Sequence, residues 1–269
     1  MTKIDTVFSG SIPFLYDTYL GPLIFEPYAE HLAGRLAALN PRLVLETAAG
    51  TGIVTRALDR SLPANASIIA TDLNQPMLDH AAKLTSSDRV SFQKVDAQAL
   101  PFPDQSFDAV VCQFGVMFFP DKQRAYREAR RVLKPGGHFV FDVWDSLEHN
   151  EFADLTSTAV TEMFADDPPR FLARTPHGYH ELEAIIAELR HAGFVNVAAE
   201  TVTRRSVAPT CRDPAIGFCQ GSPLRNEIEA RDAGRLAEAT EAAASKIAAQ
   251  FGNGPVDAMI QAHVISASG

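Results

Sequence analysis

The sequence predicts an α/β protein built on a doubly wound, mostly parallel sheet, and three observations carry that prediction. Residues 43 to 142 repeat a unit in which a short apolar run ends in an acidic or polar residue, and a loop then leads into a helical segment. The runs are short, continuous and mostly apolar, as parallel strands buried on both faces are. Strands that alternate with helix-period segments mark βαβ crossovers.

In chain order, the strands expected in the repeat are Leu43 to Leu45, Ile68 to Thr71, Val90 to Lys94, Ala109 to Cys112 and Gly137 to Val143. Between the last two, Arg124 to Leu133 places Ala125, Tyr126, Ala129, Val132 and Leu133 at helical spacing, and Lys134, Pro135, Gly136 and Gly137 stop it. The opposite stripe, Arg124, Arg127, Arg130 and Arg131, reads as a solvated helix face. Ahead of the repeat, an aromatic-rich leader (Phe14, Tyr16, Tyr19, Phe25, Tyr28) runs into a helix that Asn40 and Pro41 close. Behind it come a helix from Glu181 to Ala192, a strand from Val195 to Val207, and a helical, polar stretch from Ala208 to Pro255. A final strand, Met259 to Ser266, returns to the sheet edge. The expected organisation is therefore a leader or lid over residues 1–40, an α/β core over 41–207, a helical cap over 208–256 and a closing strand over 257–269.

Composition narrows the function classes. With 46% apolar and 21% charged residues the chain is an ordinary globular protein. A formal net charge of −9 disfavours nucleic acid, whose recognition rests on a basic surface. Cys112, Cys211 and Cys219 lack the paired spacing of a zinc site or a disulfide framework, so no metal is expected and a reducing compartment fits. The opening MTKIDTVFSG has no secretory pattern, and no apolar run reaches the ~20 residues that span a bilayer. A cytoplasmic protein without stable membrane association is expected. A homodimer is compatible with the sequence, which fixes no oligomeric state.

The stretch LVLETAAGTGIVTRAL, Leu43 to Leu58, runs from a buried strand through Glu46 and a small-residue loop into a helix. In an open parallel sheet, ligands bind outside the carboxyl ends of the strands, where this loop stands. Gly50 and Gly52 permit unusual backbone angles and close approach by a ligand. Asp72 ends the second strand, 20 residues after Gly52, where a carboxylate accepts from ribose hydroxyls. Asp96 follows the third strand, placed to accept from an exocyclic amine. Glu46, Asp72 and Asp96 are spaced 26 and 24 residues apart at the ends of successive strands. Plain alternatives are a structural turn for the loop and a cap on a helix from Gln75 to Leu84 for Asp72.

With these residues in place the chain resembles the class I S-adenosylmethionine-dependent methyltransferases, in particular the small-molecule branch that includes the ubiquinone and menaquinone biosynthesis enzymes. The resemblance is strong over residues 43 to 143. The glycine-rich first motif matches Glu46 to Gly52, taking in Thr47, Ala48, Gly50 and Gly52. The ribose acid matches Asp72, and the adenine acid matches Asp96 with Ala97. The fourth-strand motif matches Phe107 to Phe114, and the late KPGG turn matches Lys134 to Gly137. It implies a Rossmann-like, mostly parallel seven-stranded sheet with an antiparallel last strand and a helical cap. It further implies that Leu73 and Met77 flank the adenosine, Gln98 closes the adenine pocket, and Gln113 and Phe114 approach the methionine portion. Where the family usually has glycine this chain has Ala48, so the loop is expected to approach its ligand slightly less closely.

The chemistry implied is in-line methyl transfer from S-adenosylmethionine to a small-molecule acceptor, which leaves S-adenosylhomocysteine. Such a displacement needs alignment and exclusion of water more than a catalytic signature. The cover is expected from the leader aromatics Phe8, Phe14, Tyr16 and Tyr19, with Tyr16 placed on the cofactor, and from residues 208–255. If the acceptor needs a base, His177 is the candidate, with His180 beside it in RTPHGYHEL. At the fourth strand the chain reads QFGV, not the Asn or Asp, Pro, Pro, aromatic tetrad of amino-directed nucleic-acid methyltransferases. The rival readings are a nicotinamide-dependent oxidoreductase, against which Thr55 stands where a third glycine is expected, and a non-catalytic cofactor-binding protein of the same fold.

Overall fold

The runs that the sequence marks as strands pair into one seven-stranded sheet of order β3-β2-β1-β4-β5-β7-β6 in a computed structural model, which describes residues 7–269. Residues 1–6 of the expected leader lie outside the described residues. The elements in chain order are α1 (Ile12–Leu15), a π-helical segment (Tyr16–Phe25), α2 (Glu26–Ala38), β1 (Leu43–Thr47), α3 (Ile53–Ser61), β2 (Ser67–Asp72), α4 (Gln75–Leu84), β3 (Val90–Lys94), β4 (Phe107–Gln113) and α5 (Lys122–Val132). They continue with β5 (Leu133–Trp144), α6 (Glu151–Met163), α7 (Phe171–Arg174), α8 (Leu182–His191), β6 (Asn196–Ala208), α9 (Arg212–Gln220), α10 (Leu224–Asp232), α11 (Leu236–Phe251) and β7 (Val256–Ser268).

Strands β1 to β5 pair in parallel, with Glu46 opposite Ala70 and Val111, and Gln113 opposite Asp142. In the closing pair, Thr201 meets His263, Thr203 meets Gln261 and Arg205 meets Asp257, a falling register that makes β7 and β6 antiparallel. The order reverses direction between β1 and β4, the switch point at which ligands of open sheets bind.

The chain forms two compact units, each assembled from separated segments. One comprises Glu26–Val143, His180–Val202 and Ala262–Gly269. There α2 packs on α3 and α5 neighbours α8, while the apolar face of α5 read from the sequence, Ala125, Tyr126, Ala129 and Val132, is buried, with Tyr126 against Phe139 and Phe141 of β5. Asp121 caps α5 by accepting from the Arg124 N–H at 2.9 Å. The other comprises the described residues up to Phe25 together with Trp144–Tyr179 and Thr203–Gln261. Its centre is α11 against α6 and α9, where Ala239, Ala243, Ala244 and Ile247 are buried. The π-helical segment packs on α9 so closely that a Cβ at Gly217 would lie 2.7 Å from Leu20.

One expectation needs correction, and two stretches gain detail beyond the sequence reading. Val90–Lys94 was expected to be buried, but β3 is the sheet edge and its side chains are half-buried or exposed. The stretch from Ala208 to Pro255, expected to be helical and polar, holds α9, α10 and α11, and Asp232 accepts from the Gly234 N–H at 2.9 Å where the chain turns between α10 and α11. Residues 144–180, unassigned from sequence, hold α6 and α7, the latter capped by buried Glu227, which accepts from the Arg170 and Phe171 N–H groups at 2.7 and 3.2 Å. Among the described residues, no helix is long and apolar enough to cross a membrane.

Candidate active site

Glu46 closes β1 with its carboxyl group buried, 1% exposed, and accepts from the Thr55 hydroxyl at 2.6 Å. Burial is the largest influence, and with the nearby Asp72 charge it outweighs the Thr55 bond, pushing the Glu46 carboxyl up to about 8. Thr55, at the position of the missing third glycine, is thus the partner of this acid. Thr71 ties the neighbouring strand to the same residue, its hydroxyl donating to the Glu46 carbonyl at 2.8 Å.

Past Glu46 and the buried Thr47, the loop turns through three left-handed residues, Ala48 (φ 54), Gly50 (φ 55) and Gly52 (φ 79). A Cβ at Gly52 would lie 3.0 Å from that of Ala81 on α4. Ala48 holds the same conformation with a methyl group present, at a cost of about 1 kcal/mol. That methyl lies against Gly115, where an added Cβ would meet Ala48 Cβ at 2.5 Å and Cys112 Sγ at 2.7 Å. The loop after β1 and the turn after β4 therefore interlock.

Asp72 anchors the same loop. One oxygen accepts from the Gly50 N–H at 2.9 Å, the other from the Asn74 N–H at 2.7 Å and the Asn74 side-chain amide at 3.3 Å. Its burial, only partly offset by these bonds, raises the carboxyl group's pKa. Asn74, not Asp72, occupies the N-cap of α4, so the plain capping alternative does not describe Asp72. Of the two expected adenosine neighbours, Leu73 is 52% exposed, whereas Met77 is buried with its Cε 3.6 Å from where a Gly50 Cβ would stand. Met77 supports the loop from beneath.

Asp96, Ala97 and Gln98 are half-buried beyond β3. Gln98 donates to Asp96 through its backbone N–H at 2.8 Å and its amide at 3.0 Å, while its amide oxygen accepts from the Asp121 N–H at 2.9 Å. Its side chain thus joins the third-strand acid to the capped start of α5.

Beyond Gln113, Phe114 is left-handed (φ 48) and donates its N–H to Asp142 at 2.8 Å. The Phe114 ring meets Tyr28 edge-on at 5.4 Å, and the Tyr28 hydroxyl donates to the Val202 carbonyl at 2.9 Å. Asp142 is fully buried, and burial holds its carboxyl well above the usual carboxylate range. Sequence reading assigned no site role to Asp142 or Gly115, and it placed Tyr28 only in the aromatic leader. The first carried the signal that found the other acids, a carboxyl at the end of a buried apolar run in FVFDV.

Glu46, Thr47, Ala48, Gly50, Gly52, Asp72, Leu73, Met77, Asp96, Ala97, Gln98, Gln113 and Phe114 all fall in the first unit. Tyr16 and His177 belong to the second. There Tyr16 stacks on Phe25 at 4.7 Å, Phe25 meets Trp144 at 6.1 Å, and Trp144 meets His177 at 6.1 Å. His177 is buried, and its Nδ1 lies 2.9 Å from the Asp145 carbonyl. His180 falls in the first unit, its Nδ1 3.6 Å from the Glu181 carboxylate.

A seven-stranded sheet of this order, with a glycine-turned loop and an acid at each of three successive strand ends, defines a nucleoside-binding α/β enzyme. The family model described as "Methyltransferase domain" matches residues 45–141. The ubiquinone/menaquinone biosynthesis C-methyltransferase UbiE of Cronobacter sakazakii is 31% identical over 178 residues, 61% of this chain and 71% of that protein. The chain belongs to the class I S-adenosylmethionine-dependent methyltransferases, and S-adenosylmethionine is its methyl donor. Among solved structures, YcgJ of Bacillus subtilis shares the fold with a TM-score of 0.57 at 20% identity, covering 90% of this chain and 97% of that one. Phosphoethanolamine N-methyltransferase 2 of Haemonchus contortus, solved with S-adenosylmethionine, shares it with a TM-score of 0.62 at 14% identity, over 100% of this chain and 60% of that one. The nicotinamide and non-catalytic readings give way to an enzyme that methylates a small-molecule acceptor.

Proposed function

We propose that this methyltransferase holds its donor on the rim formed by Glu46, Asp72 and Asp96 and delivers the methyl group to a small organic acceptor in the cytoplasm, not to nucleic acid. The observation that carries the reading is the Asp72 carboxyl, buried beside the loop yet held by its Gly50 N–H, at the strand end where a sugar diol is gripped. The Asn74 amide at 3.3 Å is the loosest of its partners and the one that a ribose hydroxyl displaces. Exposed Leu73 supplies an apolar face for the adenine, Ala97 and the loop residues Thr47, Ala48, Gly50 and Gly52 supply close backbone, and Asp96 accepts from the exocyclic amine. Gln113 and Phe114 face the methionine portion.

The donor brings a methyl group already activated on a sulfonium, so the protein's task is alignment and dryness. We further propose the leader, with Tyr16, and the helical segment 208–256 as the source of the cover; Tyr16, Phe25, Trp144 and His177 form one aromatic run within the unit that holds them. His177 is the base for an acceptor that must lose a proton. A carbonyl can only accept, so its Nδ1 carries a proton and donates to Asp145, which fixes the orientation of the ring. The relative from Cronobacter is described as a C-methyltransferase, which makes carbon the first acceptor class to assay. A homodimer is compatible with this reading.

Calorimetry with S-adenosylmethionine tests the donor site, and a labelled-methyl screen of small acceptors tests the activity. Asp72→Asn should weaken donor binding by about tenfold or more, the worth of a strong hydrogen bond to a charged group. Parent-like affinity in that variant removes Asp72 from the site.

A further inference from the structure

The turn after β4 depends on Asp142, a residue with no part in the reading so far. Asp142 sits opposite Gln113 in the β4–β5 register and is fully buried. One of its oxygens takes the Phe114 N–H at 2.8 Å, and Gln113 reaches the same carboxyl with its side chain. The other oxygen is buried with no hydrogen-bond partner among the described residues. An apolar side chain would fill such a strand position at lower cost, since a buried carboxyl short of partners is destabilising.

What the carboxyl supplies is an acceptor at one point. Phe114 is a buried aromatic residue in the left-handed region, and its N–H calls for an acceptor within the protein. The following residue, Gly115, is seated against the Ala48 methyl of the donor loop with no room for a Cβ. A shift of Phe114 would therefore move Gly115 against Ala48 and displace the loop that carries Gly50 and Gly52.

We propose that Asp142 is a positioning residue for methyl transfer: through the Phe114 N–H and the Gln113 side chain it fixes the turn of residues 113–115, and through the Gly115 and Ala48 contact it sets the donor loop. The proposal rests on the reading of that rim as the donor site. It assigns Asp142 no contact with the donor or the acceptor.

The test compares Asp142→Asn, whose amide oxygen still accepts from Phe114, with Asp142→Ala, which has no acceptor. Donor dissociation constant, kcat, KM for the donor and the melting temperature of the unliganded protein are measured for each. The alanine variant should raise the donor dissociation constant and KM about tenfold or more, and the asparagine variant should restore most of that loss. A folded alanine variant with parent-like affinity, or an asparagine variant as impaired as alanine, overturns the proposal. If the alanine variant does not fold, hydrogen exchange in the parent decides. The Phe114 amide should then exchange far more slowly than that of exposed Asp104, and fast exchange at Phe114 overturns the pin. A parent that binds no S-adenosylmethionine sinks the donor-site reading instead, and the exchange measurement, which needs no donor, still tests the pin.

Discussion

Gly115→Ala offers a sharp test of how the two turns at the sheet rim fit together. The backbone at Gly115 has φ −96 and ψ −33, an ordinary helical conformation, so an added methyl group brings no torsional penalty. The whole cost is steric: the new Cβ would lie 2.5 Å from Ala48 Cβ and 2.7 Å from Cys112 Sγ. Relief requires both neighbours to move by about an ångström in a packed interior, an overpacking cost of about 1–3 kcal/mol. For a chain of this size that lowers the melting temperature by about 5 °C. The assay is thermal denaturation with and without S-adenosylmethionine, because a displaced loop should also reduce the stabilisation the donor gives. Adding Ala48→Gly removes the first clash but not the one with Cys112, so the double variant should recover about half of the loss. Ala48→Gly alone should be nearly neutral, since the released left-handed cost and the lost chain stiffness offset to within about 0.5 kcal/mol. A Gly115→Ala protein that melts with the parent, or a double variant whose effects simply add, refutes the interlock.

Two further predictions concern titratable groups. Glu46 rises from 4.5 to about 8 on folding, so its contribution to stability is fully present below 4.5 and is lost as pH climbs through 8. Glu46→Gln stays neutral, and its melting temperature should fall less than the parent's between about pH 5 and pH 8; parallel curves would mean that Glu46 is already ionised in the folded state. His177→Ala should slow methyl transfer about tenfold or more while donor affinity, read by calorimetry, stays at the parent value. An unchanged rate removes His177 from the mechanism.

The sheet was legible because its signal is local. Each strand of the repeat carries its own apolar run and its own terminal residue, and four of the five are buried as that pattern demands. Val90–Lys94 shows where the rule stops, since VSFQK alternates weakly and its edge position comes from strand order, which no local pattern encodes. Glu46, Asp72 and Asp96 were legible for the same reason, as acids at strand ends. Asp142 obeys the same rule and was missed because the resemblance gave it no role. Gly115 was invisible, because its need for a bare Cα is set by Ala48, 67 positions earlier in the chain. Helix α7 depends likewise on Glu227, a cap supplied from far along the sequence.

The strands β6 and β7 each pass from one unit into the other, at residues 202–203 and 261–262. Each unit is thus sewn from three stretches of polypeptide, and three of the five seams, the third at residues 143–144 of β5, fall inside strands, not in loops. No pair of cuts in exposed turns can release either unit as an intact fragment. An engineer who wishes to graft a different acceptor specificity onto this enzyme has to exchange side chains in place, since the fold offers no cassette to lift out.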